Sequence, residues 1–394
     1  MYNYTNEDWR DLAIGEVLRA PVFKRQEIIR SHRELLKDVD FIYVDEQNGQ
    51  DLIESVLDMF GIGNERMCSV FYSNKLQIMN LDILNGKKSG CYISYDIGME
   101  TQIVSYITRF INGTLDKELN QVVAPLQIKR TLPSEINVDA YVLENCGIDK
   151  EFSSIESHSI WSVFYFYNLP MMEASMSASC ADVSLREIQN FIKYSKMTDK
   201  YVERYYLCYS FLLKIVILHF DNNSIRDKLI ELIKFENEDV CTLDMMFINI
   251  AEAFWKQGTK LRFFGKVQKG RKNIVDVLKN MAWDLFHWVH TSLNFNHSPN
   301  YDSHISIPLI YSIDKRFLEL TEYAKMDGVA VDNRSKIAHP HYKQDLLDDY
   351  FSYEEQVHYL GADSLHKRNQ NRRNVDTTEL CRKLEQQLLA TGLF

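Results

Sequence analysis

A chain of 394 residues is too long for one small core and calls for two or three structural units. With 45% hydrophobic and 25% charged residues, the composition is that of an ordinary globular protein, and a net charge of −10 excludes one that coats nucleic acid with its whole surface. Fifteen glycines and seven prolines favour long helices over a turn-rich β fold.

The amino terminus, MYNYTNEDWR, lacks the basic-then-apolar pattern of a secretion signal. The seven cysteines (Cys68, Cys91, Cys146, Cys180, Cys208, Cys241 and Cys381) are an odd set without CxxC spacing. That argues against a disulfide framework or zinc ribbon and for a reducing cytoplasm. Residues 1–89 mix helical patterns, such as FKRQEIIRSHRELLKDV, with an expected strand at DFIYVDE, and read as an amino-terminal accessory region ended by the turn NGKKSG. CYISYD then predicts a short strand ending at Asp96. In METQIVSYITRFI the residues Ile103, Val104, Ile107 and Phe110 recur at helical spacing. Residues 151–255 are dominated by helical patterns, among them VSLREIQNFIKYS and RDKLIELIKF, and predict a helical insertion. Its most apolar run, YYLCYSFLLKIVILHF at 205–220, is shorter than a bilayer needs and carries Lys214. It predicts a buried helix and a soluble protein without membrane contact. A helix at 273–291 and a strand at 306–313 follow, and from 326 to 394 a polar extension ends in a helix near 376–390.

Four acids interrupt or directly follow apolar stretches. Asp96 ends a strand, Glu144 sits in AYVLENCGI, and Asp284 falls on the inward stripe of Val277, Met281 and Trp288. Asp314 joins the strand and helix of IPLIYSIDKRFLEL. A carboxylate on a buried stripe is costly unless it is paired or binds a cation. Carboxylates are natural ligands of Mg²⁺ or Mn²⁺, which can align a nucleophile on phosphorus and stabilise the leaving oxygen. Helix capping is the competing reading for Asp96 and Asp314, pairing with a lysine or arginine for Asp284, and solvent exposure for Glu144.

CYISYDIGMETQIVSYI, YVLEN, MAWDLFHW and LIYSIDKRFLEL, in this order, resemble the four acidic motifs of PIN-like nucleases. The resemblance implies a three-layer α/β/α sandwich around a mostly parallel sheet, its halves at 90–150 and 256–325. It also implies RNA ahead of DNA as substrate, Mg²⁺ or Mn²⁺ as cofactor, and a role as a toxin or defence effector. Asp96, Glu144, Asp284 and Asp314 would then be the catalytic metal ligands. The separation of 140 positions from Glu144 to Asp284 departs from the pattern, and Asp302 for Asp314, or Glu151 or Glu156 for Glu144, are substitutes.

The segment KQGTKLRFFGKVQKGRK at 256–272 holds no acid, and Lys260, Arg262, Phe263, Lys266, Lys269, Arg271 and Lys272 suit a single strand's phosphates and bases. A solvated loop is the plain alternative, and HKRNQNRR at 366–373 reads as a tail. Arg334 and His339 have the R-x4-H spacing of the metal-independent HEPN ribonucleases, which this segment resembles locally, although Pro340 would break the helix that motif needs. His287, His290, His297 and His304 cluster without a recognisable zinc pattern, and His287 is a neighbour for Asp284. A non-enzymatic interaction protein with a nuclease-like core is a further reading. A protein regulator or activator, or a second copy of the chain, is a candidate partner.

Overall fold

The computed structural model describes residues 4–52, 67–86, 92–114, 134–147, 159, 162, 197–295, 304–342 and 345–394. In chain order come α1 (Asn6–Arg19), α2 (Val22–Ser31), β1 (Val39–Val44), β2 (Gln50–Asp51), β3 (Met67–Ser69), β4 (Lys75–Met79), α3 (Leu81–Leu84), β5 (Tyr92–Met99) and α4 (Thr101–Ile111). Next are β6 (Ser134–Asn137), α5 (Asp139–Val142) running into a π turn at Leu143–Gly147, α6 (Met197–Phe220), α7 (Ile225–Glu238) and α8 (Met245–Gln257). The remainder is α9 (Ile274–Ser292), β7 (His304–Tyr311), α10 (Lys315–Thr321), β8 (Met326–Asp332), β9 (Ile337–Tyr342), α11 (Asp345–Tyr350), α12 (Tyr353–Leu360), α13 (Ala362–Asn371) and α14 (Thr377–Ala390).

The strands form two sheets, ordered β2-β4-β1-β8-β9 and β3-β7-β5-β6. Every pairing in the larger sheet is antiparallel, and so is β3 with β7. Among the described residues the parallel strand pairings are those of β5 with β6 and β7, beside one isolated parallel bridge between Phe71 and Met326. The expected three-layer sandwich around one central, mostly parallel sheet is therefore wrong. The physical reason lies in long-range pairing. β1, from the stretch read as accessory, is sandwiched between β4 and β8, and β8 comes from the stretch read as a polar extension. β8 and β9 are joined by a short turn, which forces an antiparallel pair.

Burial follows from these pairings. One continuous apolar core takes in β5, β7, α4, α6, α7, α8 and α9, while a smaller one packs α1 and α2 on β1. The long helix α6 is buried along Tyr209, Phe211, Leu212, Ile215 and Val216, all at most 0% exposed. Among the described residues no helix is long and apolar enough to cross a membrane. Cys68, Cys208, Cys241 and Cys381 are buried free thiols. Cys91 and Cys180, and the pattern VSLREIQNFIKYS, lie outside the described residues.

Helix α9 positions the site. It lies along β5, so closely that a Cβ on Gly98 would collide with the Thr291 side chain. Asn294, just past α9, donates to the Asp96 carboxylate in the middle of β5. Asp96, Gly98 and Glu100 share one face of the strand by alternation, so α9 runs antiparallel to it and brings Asp284 and His287 toward the Glu100 end.

Candidate active site

The carboxyl ends of β5, β6 and β7 lie side by side, the place where ligands gather in parallel α/β arrangements. Glu100 follows β5 directly, and its backbone N–H extends the ladder to the Tyr311 carbonyl at 3.2 Å. Its buried carboxylate accepts from the Ser312 hydroxyl, immediately after β7. Ser312 Oγ in turn accepts from the Asp314 backbone N–H at 3.0 Å. Glu144, on the π turn, accepts from Thr101 Oγ1 at the head of α4 and meets His287 Nε2 at 3.2 Å. A π turn inserts an extra residue into the helix and often marks functional positions. His287 lies one turn beyond Asp284 on α9.

The charges of these groups are felt mutually. Burial, then the negative charges of Glu100, Glu144 and Asp314, push the Asp284 carboxyl up to about 7, against the pull of His287. Burial also raises Glu100, despite its bond from Ser312. Burial pulls His287 down, but its bond to Glu144 and the charges of Glu144, Glu100 and Asp284 outweigh it and hold the imidazole above its ordinary range. Asp314 behaves differently. Burial works to raise it, yet the Arg316 guanidinium, at 2.7 Å, and the Arg316 backbone N–H hold it below the usual carboxylate range. Three acids, Glu144, Glu100 and Asp284, thus act on the His287 imidazole, and Asp314, paired with Arg316, acts on Asp284 and Glu100 from the margin. Shifted titrations cluster at functional sites, and structural ion-pair networks shift them too.

Three of the four acids expected from sequence, Glu144, Asp284 and Asp314, come together. Asp96 does not. The strand runs on through Ile97, Gly98 and Met99, which leaves Asp96 inside it, 5% exposed and bonded by Asn137 and Asn294. Four residue steps along the strand take the chain from Asp96 to Glu100, roughly 13 Å at the usual rise. Glu100 is the acid at the strand end. Its signal was the same-face spacing from Asp96 and its position just before the helical period of α4. Thr101 and Ser312, which orient two of the carboxylates, carry no pattern a sequence could reveal. Asp302, Glu151, Glu156 and His297 lie outside the described residues.

The basic segment forms two short 3-10 turns, Gly258–Lys260 and Arg262–Lys266. Lys260, Arg262, Lys266, Lys269 and Lys272 are exposed and Arg271 partly so, but Phe263 is buried and Phe264 stacks on Phe254 in the core. Phe263 is therefore corrected from a base-stacking ring to a core residue. Arg262 pairs with Glu319 on α10 at 2.6 Å, which ties the segment to the helix that begins after Asp314. Arg334 lies in the turn before β9, 3.7 Å from Asp38, and His339 lies on β9 opposite Ala330. Neither is on a helix, so the helical frame of an R-x4-H ribonuclease is missing here.

The donor chemistry of the acid cluster suits a hard divalent ion: carboxylate oxygens predominate, and a cation would offset the burial and the neighbouring charges that together keep Asp284 protonated up to about 7. As the side chains stand, no group of three or more ligating residues is spaced to hold an ion, among the described residues. A cation would therefore have to draw the carboxylates inward. No family model, no curated protein and no solved structure matches the chain.

Proposed function

We propose that the chain is a metal-dependent nuclease, acting on RNA ahead of DNA, with its site at Glu100, Glu144, Asp284, Asp314 and His287. The observation that carries this reading is that four carboxylates, from the end of β5, the π turn, helix α9 and the head of α10, lie within electrostatic reach of one another, with Asp284 raised to about 7 first by burial and then by Glu100, Glu144 and Asp314. Such crowding is costly to a fold unless a cation is to be held. The order of the acidic motifs along the chain supports the reading, and its independence from any one architecture fits the general rule that chemistry belongs to sites rather than folds.

Glu100, Asp284 and Asp314 would hold Mg²⁺ or Mn²⁺, which when bound stabilises negative charge on phosphoryl oxygens. Glu144 fixes the orientation of His287, and this pair takes up the proton released by an attacking water. Thr101 holds Glu144 and Ser312 holds Glu100, so each carboxylate has a fixed starting position. The exposed cations from Lys260 to Lys272 would attract the phosphate backbone.

The test uses purified protein with labelled single-stranded RNA, tRNA and single-stranded DNA, in Mn²⁺, Mg²⁺ or excess chelator, beside Asp284→Asn. Cleavage lost to the chelator, and reduced at least about 100-fold by the substitution, is expected. Cleavage that persists in chelator, or in Asp284→Asn at the wild-type rate, would sink the reading.

A further inference from the structure

Both oxygens of the Asp314 carboxylate are already held. Oδ1 caps helix α10 by accepting the Arg316 backbone N–H at 2.8 Å. The guanidinium of the same arginine closes on the carboxylate from the side, with Nε donating to Oδ1 at 3.1 Å and Nη2 to Oδ2 at 2.7 Å. This is the forked grip that arginine makes on carboxylates, and it fixes direction as well as distance. Two neighbouring acids are met differently: the Ser312 hydroxyl bonds Glu100, and the Thr101 hydroxyl bonds Glu144. A hydroxyl is neutral and does not repel an approaching cation.

The grip places a permanent positive charge at the edge of the acid cluster. The bond to Asp314, and after it the charges of Asp284 and Glu100, hold the Arg316 guanidinium above its ordinary range. A divalent ion on Asp314 would sit about 2 Å from a carboxylate oxygen, beside the guanidinium bound to that same group. Like charges so close repel, so the ion and the arginine compete for one carboxylate.

The contact can open without unfolding its surroundings. The Arg316 side chain is 44% exposed and that of Asp314 16%, so the guanidinium lies on the solvent side. An ion pair this exposed contributes little to folding. The Asp314 backbone is held independently of it: its N–H donates to Ser312 Oγ at 3.0 Å, and Ser312 donates in turn to Glu100. The helix cap uses Oδ1, which makes Oδ2 the oxygen that release of the guanidinium would turn over to an ion.

We propose that Arg316 is a resident counter-cation that withholds Asp314 from a divalent ion, so that the acid cluster loads metal fully only when the guanidinium lets go. The proposal rests on the metal-centre reading of the cluster and concerns the regulation of that site rather than its chemistry.

The experiment measures Mn²⁺ binding by isothermal titration calorimetry to the full-length wild type, Arg316→Met, Arg316→Lys, Asp314→Asn and the double variant Asp314→Asn/Arg316→Met. Thermal unfolding checks that each variant is folded. Arg316→Met removes both charge and grip, whereas Arg316→Lys keeps the charge and loses the fork. Arg316→Met is expected to bind Mn²⁺ about fivefold or more tightly than the wild type, the scale of one exposed ion pair, and Arg316→Lys about twofold or more. The gain should vanish once Asp314 is replaced. Wild-type affinity in a folded Arg316→Met would overturn the proposal and leave the metal centre standing. A gain in Arg316→Met with wild-type affinity in Arg316→Lys would reduce the effect to plain charge and overturn the grip. An equal gain with Asp314 already replaced would overturn Asp314 as the withheld ligand. If Arg316→Met does not fold, Arg316→Lys decides by the same comparison with the wild type. RNA cleavage assays run alongside separate the two readings. The expected gain in Mn²⁺ affinity without metal-dependent cleavage by any variant would uphold the counter-cation and refute the nuclease. Mn²⁺ binding absent from the wild type and from every variant would overturn both.

Discussion

At the head of α10, Asp314 accepts the Arg316 backbone N–H at 2.8 Å while the Arg316 guanidinium lies at 2.7 Å. It is a helix cap whose charge also reaches Asp284 and Glu100. Capping and membership of the cluster are thus compatible, and the choice between them that the sequence poses is a false one. At Asp284 the two demands conflict, since the isolated cluster opposes ionisation. Replacing Asp284 by Asn should therefore raise the melting temperature of the metal-free protein while it removes cleavage. A scanning-calorimetry comparison in chelator checks this, and a lower melting temperature would indicate that Asp284 instead stabilises the fold. Glu144, Asp284 and Asp314 were legible because each broke an apolar pattern. Glu100 was not, because an aspartate four residues earlier already offered a plausible strand end.

The contact between β5 and α9 decides how the acids converge. Gly98 has no side chain where α9 approaches, and Thr291 occupies the space a Cβ would need. Gly98→Ala should cost about 1–3 kcal/mol through overpacking and should lower cleavage by displacing α9 from the Glu100 end. Urea unfolding measures the first effect, and an unchanged midpoint would contradict the close approach. The two phenylalanines of the basic segment give a second contrast. Phe264→Ala should destabilise the chain by about 3–5 kcal/mol, whereas Lys266→Glu with Lys269→Glu should leave unfolding unchanged and weaken RNA binding in a salt-dependent way. Sequence composition alone cannot separate an exposed aromatic from a buried one here. Both lie among lysines, and only the packing of the 3-10 turns on Phe254 and α10 turns the rings inward.

Across the molecule, the amino-terminal helices are fastened to the larger sheet. Arg10 on α1 makes a two-pronged pair with Asp332 at the end of β8, at 2.8 and 2.7 Å. Burial would raise Asp332, but Arg10 and the Arg334 backbone N–H hold it down, at about 2 against an ordinary 3.8. A depressed carboxyl contributes stability that is present above pH 3.8 and lost as the pH falls toward about 2. The contribution is on the order of 1–2 kcal/mol after allowance for solvent screening. Asp332→Asn should flatten the acid limb of the stability profile, and an unchanged limb would deny the pair that role. The helical patterns of α6 to α9 could be read locally, whereas the sheets could not. Strand partners such as β1 and β8 lie far apart in sequence, and antiparallel or parallel pairing leaves no local trace in a short buried strand. The most direct test of the site is Mn²⁺ binding to the wild type, Glu100→Gln and Asp96→Asn by isothermal titration calorimetry. Binding that is lost in Glu100→Gln and kept in Asp96→Asn is expected. Binding absent from the wild type, or lost through Asp96 and retained without Glu100, would contradict the acid cluster as the metal centre.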